Sequence, residues 1–345
     1  ILASFFQFIF LNTFSGVDLD MWADQSMFVR TGNIEQFDFQ KAYGHPGGPI
    51  ILGTIFINEL THTPYRTSLI IFLTLFNALL ITGISFFCYL LKKGSIWFVL
   101  VFCILSMNRL FVYASPPSAV VALLITLLAV ITIYMLENRD KIKLPYIVLW
   151  SVVAGLTIST RADIGIFMSA IFFVSIFFRL GWQKILTIPI FVLLTFFLTD
   201  PFMWSMPIQH IADILGKAIY HYSSFNLPEH LSFVRIANIS YLMFISALIS
   251  LTLLIKRKSS FPIPNYFIYT LLLITTVLYA LFLTSSYQAE RYFLPIVFIW
   301  QIFLPVFLFS LLPKVDTSLP TGLDDPSLKK KILVAFVFLV FFAIM

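Results

Sequence analysis

The stretch LIIFLTLFNALLITGISFFCYLL, residues 69–91, decides the fold class of this chain. It holds no charged residue and exceeds the ~20 apolar residues that a transmembrane helix needs. The whole chain shares this character, since 60% of its 345 residues are hydrophobic and only 11% are charged. A soluble domain does not need so much apolar surface. The sequence therefore predicts an all-α, polytopic helical membrane protein with a single transmembrane domain over residues 1–345.

Long apolar runs recur along the chain and predict about eleven transmembrane helices. The runs cover residues 1–14, 69–91, 95–113, 117–136, 145–160, 164–180, 184–199, 236–255, 263–284, 291–312 and 332–345. The run PIILGTIFINEL, residues 49–60, is too short for a span and predicts an interfacial or re-entrant helix. The chain starts at Ile1 and ends at Met345 inside an apolar run, so we expect one or both termini to be trimmed.

Basic residues collect in alternate connections between these runs. The segments 92–94, 137–144, 181–184, 256–262 and 313–331, with flanking Arg179, hold 14 of the 22 Lys and Arg residues. The positive-inside rule puts these connections in the cytoplasm, so 313–331 is a cytoplasmic loop and 15–68 and 200–235 are outer loops with juxtamembrane helices. This asymmetry also explains the net charge of +6, and we expect no nucleic-acid partner. Cys88 and Cys103 lie inside apolar runs, which excludes a disulfide framework.

The predicted outer side carries the residues that are candidates for catalysis and ligand binding. Asp18, Asp20, Trp22 and Asp24 lie directly after the first run. A carboxylate there can accept a proton from an attacking hydroxyl. Other outer positions hold Tyr43, His45, Arg161, Asp163, Glu290, Arg291 and Tyr292. Arg and His can hold a phosphate through charge-assisted hydrogen bonds, and Tyr or Trp can stack on a sugar.

Structural explanations stay open for each of these groups. The three aspartates are also typical of a solvated helix start, because acids favour helix N-termini. His45, followed by Pro46 and two glycines, also fits a simple turn. Arg161 with Asp163 fits a local ion pair, and Arg291 fits a residue that snorkels to the membrane surface.

Four motifs in this order resemble the GT-C superfamily of integral-membrane glycosyltransferases, in particular its protein mannosyltransferase and aminoarabinose transferase branch. They are DLDMW (18–22), YGHPGGPIIL (43–52), TRAD (160–163) and AERYFLP (289–295), and the resemblance covers residues 1 to about 312. It implies that Asp20 or Asp18 is the catalytic base and that Arg291, Arg161 and His45 bind the donor phosphate. The resemblance further implies substrate contacts by Trp22, Tyr43, Asp163, Glu290 and Tyr292, with no metal and no cofactor. An Asp-Glu pair is frequent in this branch, whereas this chain has Asp-Leu-Asp.

The sequence thus leads to one favoured function and two alternatives. The favoured function is inverting transfer of a sugar from a polyprenyl-phosphate donor to an acceptor hydroxyl of a glycan, lipid or protein. We expect a multi-pass membrane protein, in the plasma membrane if prokaryotic, with its active site on the non-cytoplasmic side. A transporter or flippase of a lipid-linked or anionic solute is the first alternative, and a non-catalytic scaffold is the second.

The topology can be checked by cysteine labelling of intact vesicles or cells. In a Cys88→Ala, Cys103→Ala background, a membrane-impermeant maleimide added outside should label Asp24→Cys and Tyr287→Cys. It should not label Lys141→Cys or Arg257→Cys until the membrane is permeabilised, because these positions lie in the basic connections. Labelling of Arg257→Cys from outside contradicts the orientation.

Overall fold

The computed structural model describes residues 4–5, 8, 17–33, 46–92, 95–106, 116–138, 142–177, 180–223 and 298. These residues contain helices and no strand, which confirms the all-α prediction for this part of the chain. The helices are α1 (Val17–Arg30), α2 (Gly48–Thr61), α3 (Tyr65–Lys92), α4 (Ser95–Ser106), α5 (Pro116–Glu137), α6 (Leu144–Thr160), α7 (Ala162–Phe177), α8 (Trp182–Thr199), α9 (Phe202–Ser205) and α10 (Pro207–Ser223). The predicted runs 236–255, 263–284 and 332–345 lie outside the described residues.

Two of the described helices are long and apolar enough to cross a membrane. They span Tyr65–Leu91 and Pro116–Glu137, and four other helices are apolar but shorter. These helices indicate a membrane protein, while the number of eleven spans and their orientation stay predictions. Of the predicted run 291–312 the structure describes Phe298, whose side chain is fully buried in the hydrophobic core.

The helix boundaries follow from proline and from polar breaks in the apolar runs. Proline lies in the first turns of α5, α6 and α2, at Pro116, Pro145 and Pro49. Its missing N–H costs no hydrogen bond there, because the first N–H groups of a helix have no acceptor within the helix. α6 ends at Thr160 because Arg161 adopts an extended conformation, and α7 begins with the next residue. The predicted short helix at 49–60 is confirmed as α2.

α5 forms the centre of the described bundle. Almost all of its side chains are buried, as expected for a helix with neighbours on every side. Its Tyr134 ring packs edge-on against Phe87 of α3 at a centroid distance of 5.5 Å. Its Thr132 hydroxyl accepts a hydrogen bond of 2.8 Å from the Trp150 indole of α6. Gly83 of α3 also lies beside Leu127 of α5, so these two helices run parallel. Tyr146 of α6 packs against Tyr134, so α6 runs antiparallel to both.

α6 and α8 pack in parallel at very short range. A Cβ added at Gly155 would lie 2.6 Å from Thr195 Cβ and 2.8 Å from the Val192 carbonyl oxygen, so only glycine permits this approach. Near the start of both helices, Lys184 Nζ donates a 2.9 Å hydrogen bond to the Ile142 carbonyl. The far ends of α6 and α8 consequently lie side by side.

The sequence Pro46-Gly47-Gly48-Pro49 inserts the start of α2 between these far ends. Gly47 has φ of 60°, a left-handed conformation that favours glycine, and its Cα faces the Trp22 ring so closely that a Cβ would overlap it. A Cβ on Gly48 would lie within 3.0 Å of the Thr199 carbonyl oxygen, Ser159 Oγ and Asp200 Cα. We call this contact of α1, α2, α6 and α8 the diglycine junction, formed by Gly47 and Gly48.

We predict that Gly48→Ala lowers stability because backbone atoms of Thr199 and Asp200 cannot move away from the new methyl group. Overpacking of this kind typically costs about 1–3 kcal/mol. The measurement is thermal unfolding of the purified protein in detergent. Gly216→Ala is the matched control, because Gly216 has open space around it and alanine favours a helix. Equal unfolding temperatures for the parent and Gly48→Ala would contradict the tight packing at the junction.

Candidate functional site

Three of the sequence motifs and the end of α8, which are far apart in the chain, meet at one end of the bundle. The backbone N–H of Gly47 donates a 3.2 Å hydrogen bond to the Thr160 carbonyl, which joins the HPGGP segment to the TRAD segment. Trp22 of the DLDMW segment lies on Gly47, and Asp200 at the end of α8 lies beside Gly48. This end therefore carries most of the described acidic and basic side chains that the sequence singled out.

Asp20 lies on the exposed face of α1, a helix with one buried side. Leu19, Trp22, Ala23 and Ser26 are buried at helical spacing, whereas Asp20 and Asp24 are exposed. Asp20 Oδ1 lies 3.3 Å from Arg66 Nε at the start of α3, and the Asp20 side chain is 60% exposed. The carboxylate is thus accessible and lies beside a cation.

Trp22 belongs to the core at this end of the bundle. Its side chain is 1% exposed and its ring covers Gly47. In this conformation Trp22 supports the diglycine junction, and a direct contact with a sugar would need a movement of α1. The substrate contact implied by the resemblance stays a prediction.

Arg161 and Asp163 form the local ion pair that was one of the two explanations of this motif. Arg161 Nε and Nη2 donate hydrogen bonds of 3.0 and 3.1 Å to the two oxygens of Asp163. Both side chains are almost completely buried. Asp163 also lies in the first turn of α7, where a negative charge is stabilised by the helix dipole. A role for Arg161 in phosphate binding stays a prediction and would require Asp163 to share the guanidinium group.

Asp200 and His210 form a second buried pair, which the sequence analysis did not identify. Asp200 Oδ2 lies 2.8 Å from His210 Nε2, and Asp200 Oδ1 accepts a 3.2 Å hydrogen bond from the Phe202 N–H. The Asp200 side chain is fully buried. The pair joins the end of α8 to α10, and His210 also packs beside the Phe202 ring.

Burial raises the pKa of the Asp200 carboxyl above its usual 3.8, although His210 and the Phe202 N–H offset part of that effect. Ionisation of Asp200 is therefore harder in the folded chain than in the unfolded one. The contribution of this group to stability consequently falls as the pH rises through the interval between its usual and its folded pKa. The signal in the sequence was Asp200 directly after an apolar run, followed by His210 on an amphipathic helix.

The remaining polar groups at this end show no metal site. In the ranges that the structure covers, no three His, Cys, Asp or Glu side chains lie close enough to hold a metal ion. Ser159 Oγ is buried beside Gly48 and has no hydrogen-bond partner among the residues that the structure describes. Because buried hydroxyls usually find a partner, it is a free polar group at the diglycine junction.

The structure leaves several predicted site residues undecided. Asp18 lies in the first turn of α1. Tyr43, His45, Glu290, Arg291 and Tyr292 lie outside the described residues. Their proposed roles stay predictions.

Comparisons with protein-family models, curated proteins and solved structures gave no match to this chain. The functional interpretation therefore depends on the chain's own residues and their geometry.

We predict that His210→Ala destabilises the protein by about 1–3 kcal/mol, because the buried Asp200 Oδ2 would lose its hydrogen-bond partner. Asp200→Ala should also destabilise it. The double variant should lose less unfolding free energy than the two single variants together, and the difference, the coupling energy, should be about 0.5–3 kcal/mol.

Unfolding of the three variants in detergent tests this coupling. Asp213→Ala is the control, because Asp213 is an exposed residue of the same helix and its replacement should change stability by no more than about 0.5 kcal/mol. Additive losses in the double variant would show that Asp200 and His210 do not interact.

Proposed function

We propose that this chain is an inverting glycosyltransferase that moves a sugar from a polyprenyl phosphate to an acceptor hydroxyl at a membrane surface. The observation that supports this most is Asp20, an exposed carboxylate paired with Arg66 at the end of the bundle where the HPGGP and TRAD segments meet. An accessible carboxylate suits a general base.

In the proposed reaction the acceptor oxygen attacks the anomeric carbon of the sugar. The bond from that carbon to the phosphate oxygen breaks, and the lipid phosphate leaves with the electron pair. Asp20 takes the proton of the acceptor hydroxyl during the attack. Attack from the side opposite the phosphate inverts the anomeric carbon, so no covalent sugar–enzyme intermediate forms.

The leaving phosphate needs cations that stabilise its charge. We assign this role to Arg291 together with His45 or Arg161. Arginine suits it because its planar fork binds two phosphate oxygens at once. Of these residues the structure describes Arg161, whose fork is occupied by Asp163. Arg291 is therefore the main donor-binding residue in the proposal.

The Asp20–Arg66 pair itself adds little stability. Both side chains are about half exposed, and exposed ion pairs contribute about 0–1 kcal/mol. Replacement of Asp20 should consequently leave the fold intact. This makes Asp20 a suitable position for a functional test.

We predict that Asp20→Asn reduces sugar transfer by about 10²–10⁴-fold, because asparagine keeps the size of the side chain and cannot accept the proton. The measurement is single-turnover loss of radiolabel from polyprenyl-phosphate mannose and polyprenyl-phosphate aminoarabinose in proteoliposomes. Donor binding should remain at the parental level.

Asp24→Asn is the matched control, because Asp24 lies on the same exposed face of α1 one turn later. It should transfer at the parental rate. Asp18→Asn should lose less activity than Asp20→Asn. Parental transfer by Asp20→Asn removes Asp20 from the chemistry. A parent protein that carries either labelled lipid across the vesicle membrane without cleaving it supports the flippase alternative instead.

A further inference from the structure

α8 carries a long apolar stripe that no described part of the chain covers. Leu186, Ile190, Leu193 and Phe197 follow one another at helical spacing and are all about half exposed or more, with Leu194 and Leu198 beside them. The opposite face of α8 packs against α6 through Thr195 and Val192. An exposed apolar surface of this extent marks a contact with a membrane or with another protein.

Two exposed tryptophans bracket this stripe. Trp182 begins α8 and is 71% exposed, while Trp204 follows its end and is 53% exposed. The Trp204 indole donates a 2.7 Å hydrogen bond to the Phe197 carbonyl, which holds the ring at the end of the helix. The 18 residues of α8 span about 27 Å. That length is close to the hydrocarbon thickness of a bilayer, about 30 Å, and tryptophan is enriched at both of its interfaces.

α10 carries a second exposed apolar surface after the second tryptophan. Its Ile208 is 84% exposed, and Ile211 and Leu215 are exposed on the same side of the helix. His210 and Ile214 are buried on another side, where they attach α10 to the bundle. Gln209 and Asp213 form a third, polar and exposed side. The Asp200–His210 pair fixes the rotation of α10, so its apolar side keeps one orientation relative to α8.

We propose that the α8 stripe contacts lipid tails and that α10 lies in the membrane interface with Ile208, Ile211 and Leu215 on the acyl chains. A helix with an apolar side and a polar side typically sinks about 5–10 Å into this boundary. The tryptophans at both ends of the stripe favour lipid over a protein partner. A bilayer places tryptophans at its two interfaces, about one hydrocarbon thickness apart, whereas a protein contact does not require this distance. The inference concerns the membrane contact alone and is independent of the proposed chemistry.

Spin labels on the chain of residues 1–345 in phosphatidylcholine–phosphatidylglycerol bilayers test the proposal. Single cysteines replace Ile190, Ile208, Leu215, Gln209 and Asp213 in the Cys88→Ala, Cys103→Ala background. These side chains are exposed, so the labels should not disturb the fold. Power saturation then compares the accessibility of each label to oxygen, which concentrates in lipid, and to a water-soluble nickel chelate.

We expect the oxygen-to-nickel accessibility ratio to be severalfold higher at Ile208→Cys and Leu215→Cys than at Gln209→Cys and Asp213→Cys. Ile190→Cys should give the highest ratio, because it lies near the middle of the stripe. Equal ratios at all four α10 positions would overturn the proposal and place α10 in water. Exclusion of both reagents at 208 and 215 would overturn it as well, because residues 224–345 or a second copy of the chain would then cover the stripe.

Discussion

The close approach of backbone at Gly47 and Gly48 is the constraint on which the rest of the described structure depends. The left-handed Gly47 turns the chain under the Trp22 ring, and Gly48 fits between the ends of α6 and α8. Side chains at these two positions would separate α1, α2, α6 and α8. The junction thus brings Asp20, Arg161 and Asp200 to the same end of the bundle, although 180 residues separate the first from the last.

Charges at this end fall into two classes that suit different tasks. Arg161–Asp163 is a buried ion pair and Asp200–His210 is a buried hydrogen-bonded pair, so the members of each pair bind each other. Asp20 and Arg66 are about half exposed and pair weakly, so a substrate can exchange with either partner. The buried pairs therefore hold the helix ends in position, and the exposed pair is the better candidate for chemistry.

Long apolar runs were sufficient to predict where α2 to α8 lie, because such runs between polar breaks have few alternatives. The bounds of α1, α9 and α10 were not predicted, because these helices lie in segments that the sequence marks only as outer loops with juxtamembrane helices. Apolar runs could not predict partners across the fold. Glu59 and Arg66 received no role from the sequence, yet Glu59 pairs with Arg30 and Arg66 with Asp20. His210 lies ten residues after Asp200, a separation that no local rule connects. The sequence left two explanations open for Arg161 and Asp163, a phosphate-binding role and a local ion pair. The structure shows the ion pair. A functional role of the motif depends on residues such as Arg291 that lie outside the described part of the chain.

The enclosed position of α5 has a consequence for biosynthesis. This helix is the more apolar of the two described helices that are long enough to cross a membrane, yet almost none of its surface is left for lipid. α6 and α7 follow α5 in the chain, so an α5 helix that enters the bilayer ahead of them must first be solvated by acyl chains. The lipids around α5 then have to leave as α6 and α7 pack against it. A chain that ends before α6 would expose the helix that the finished protein protects best.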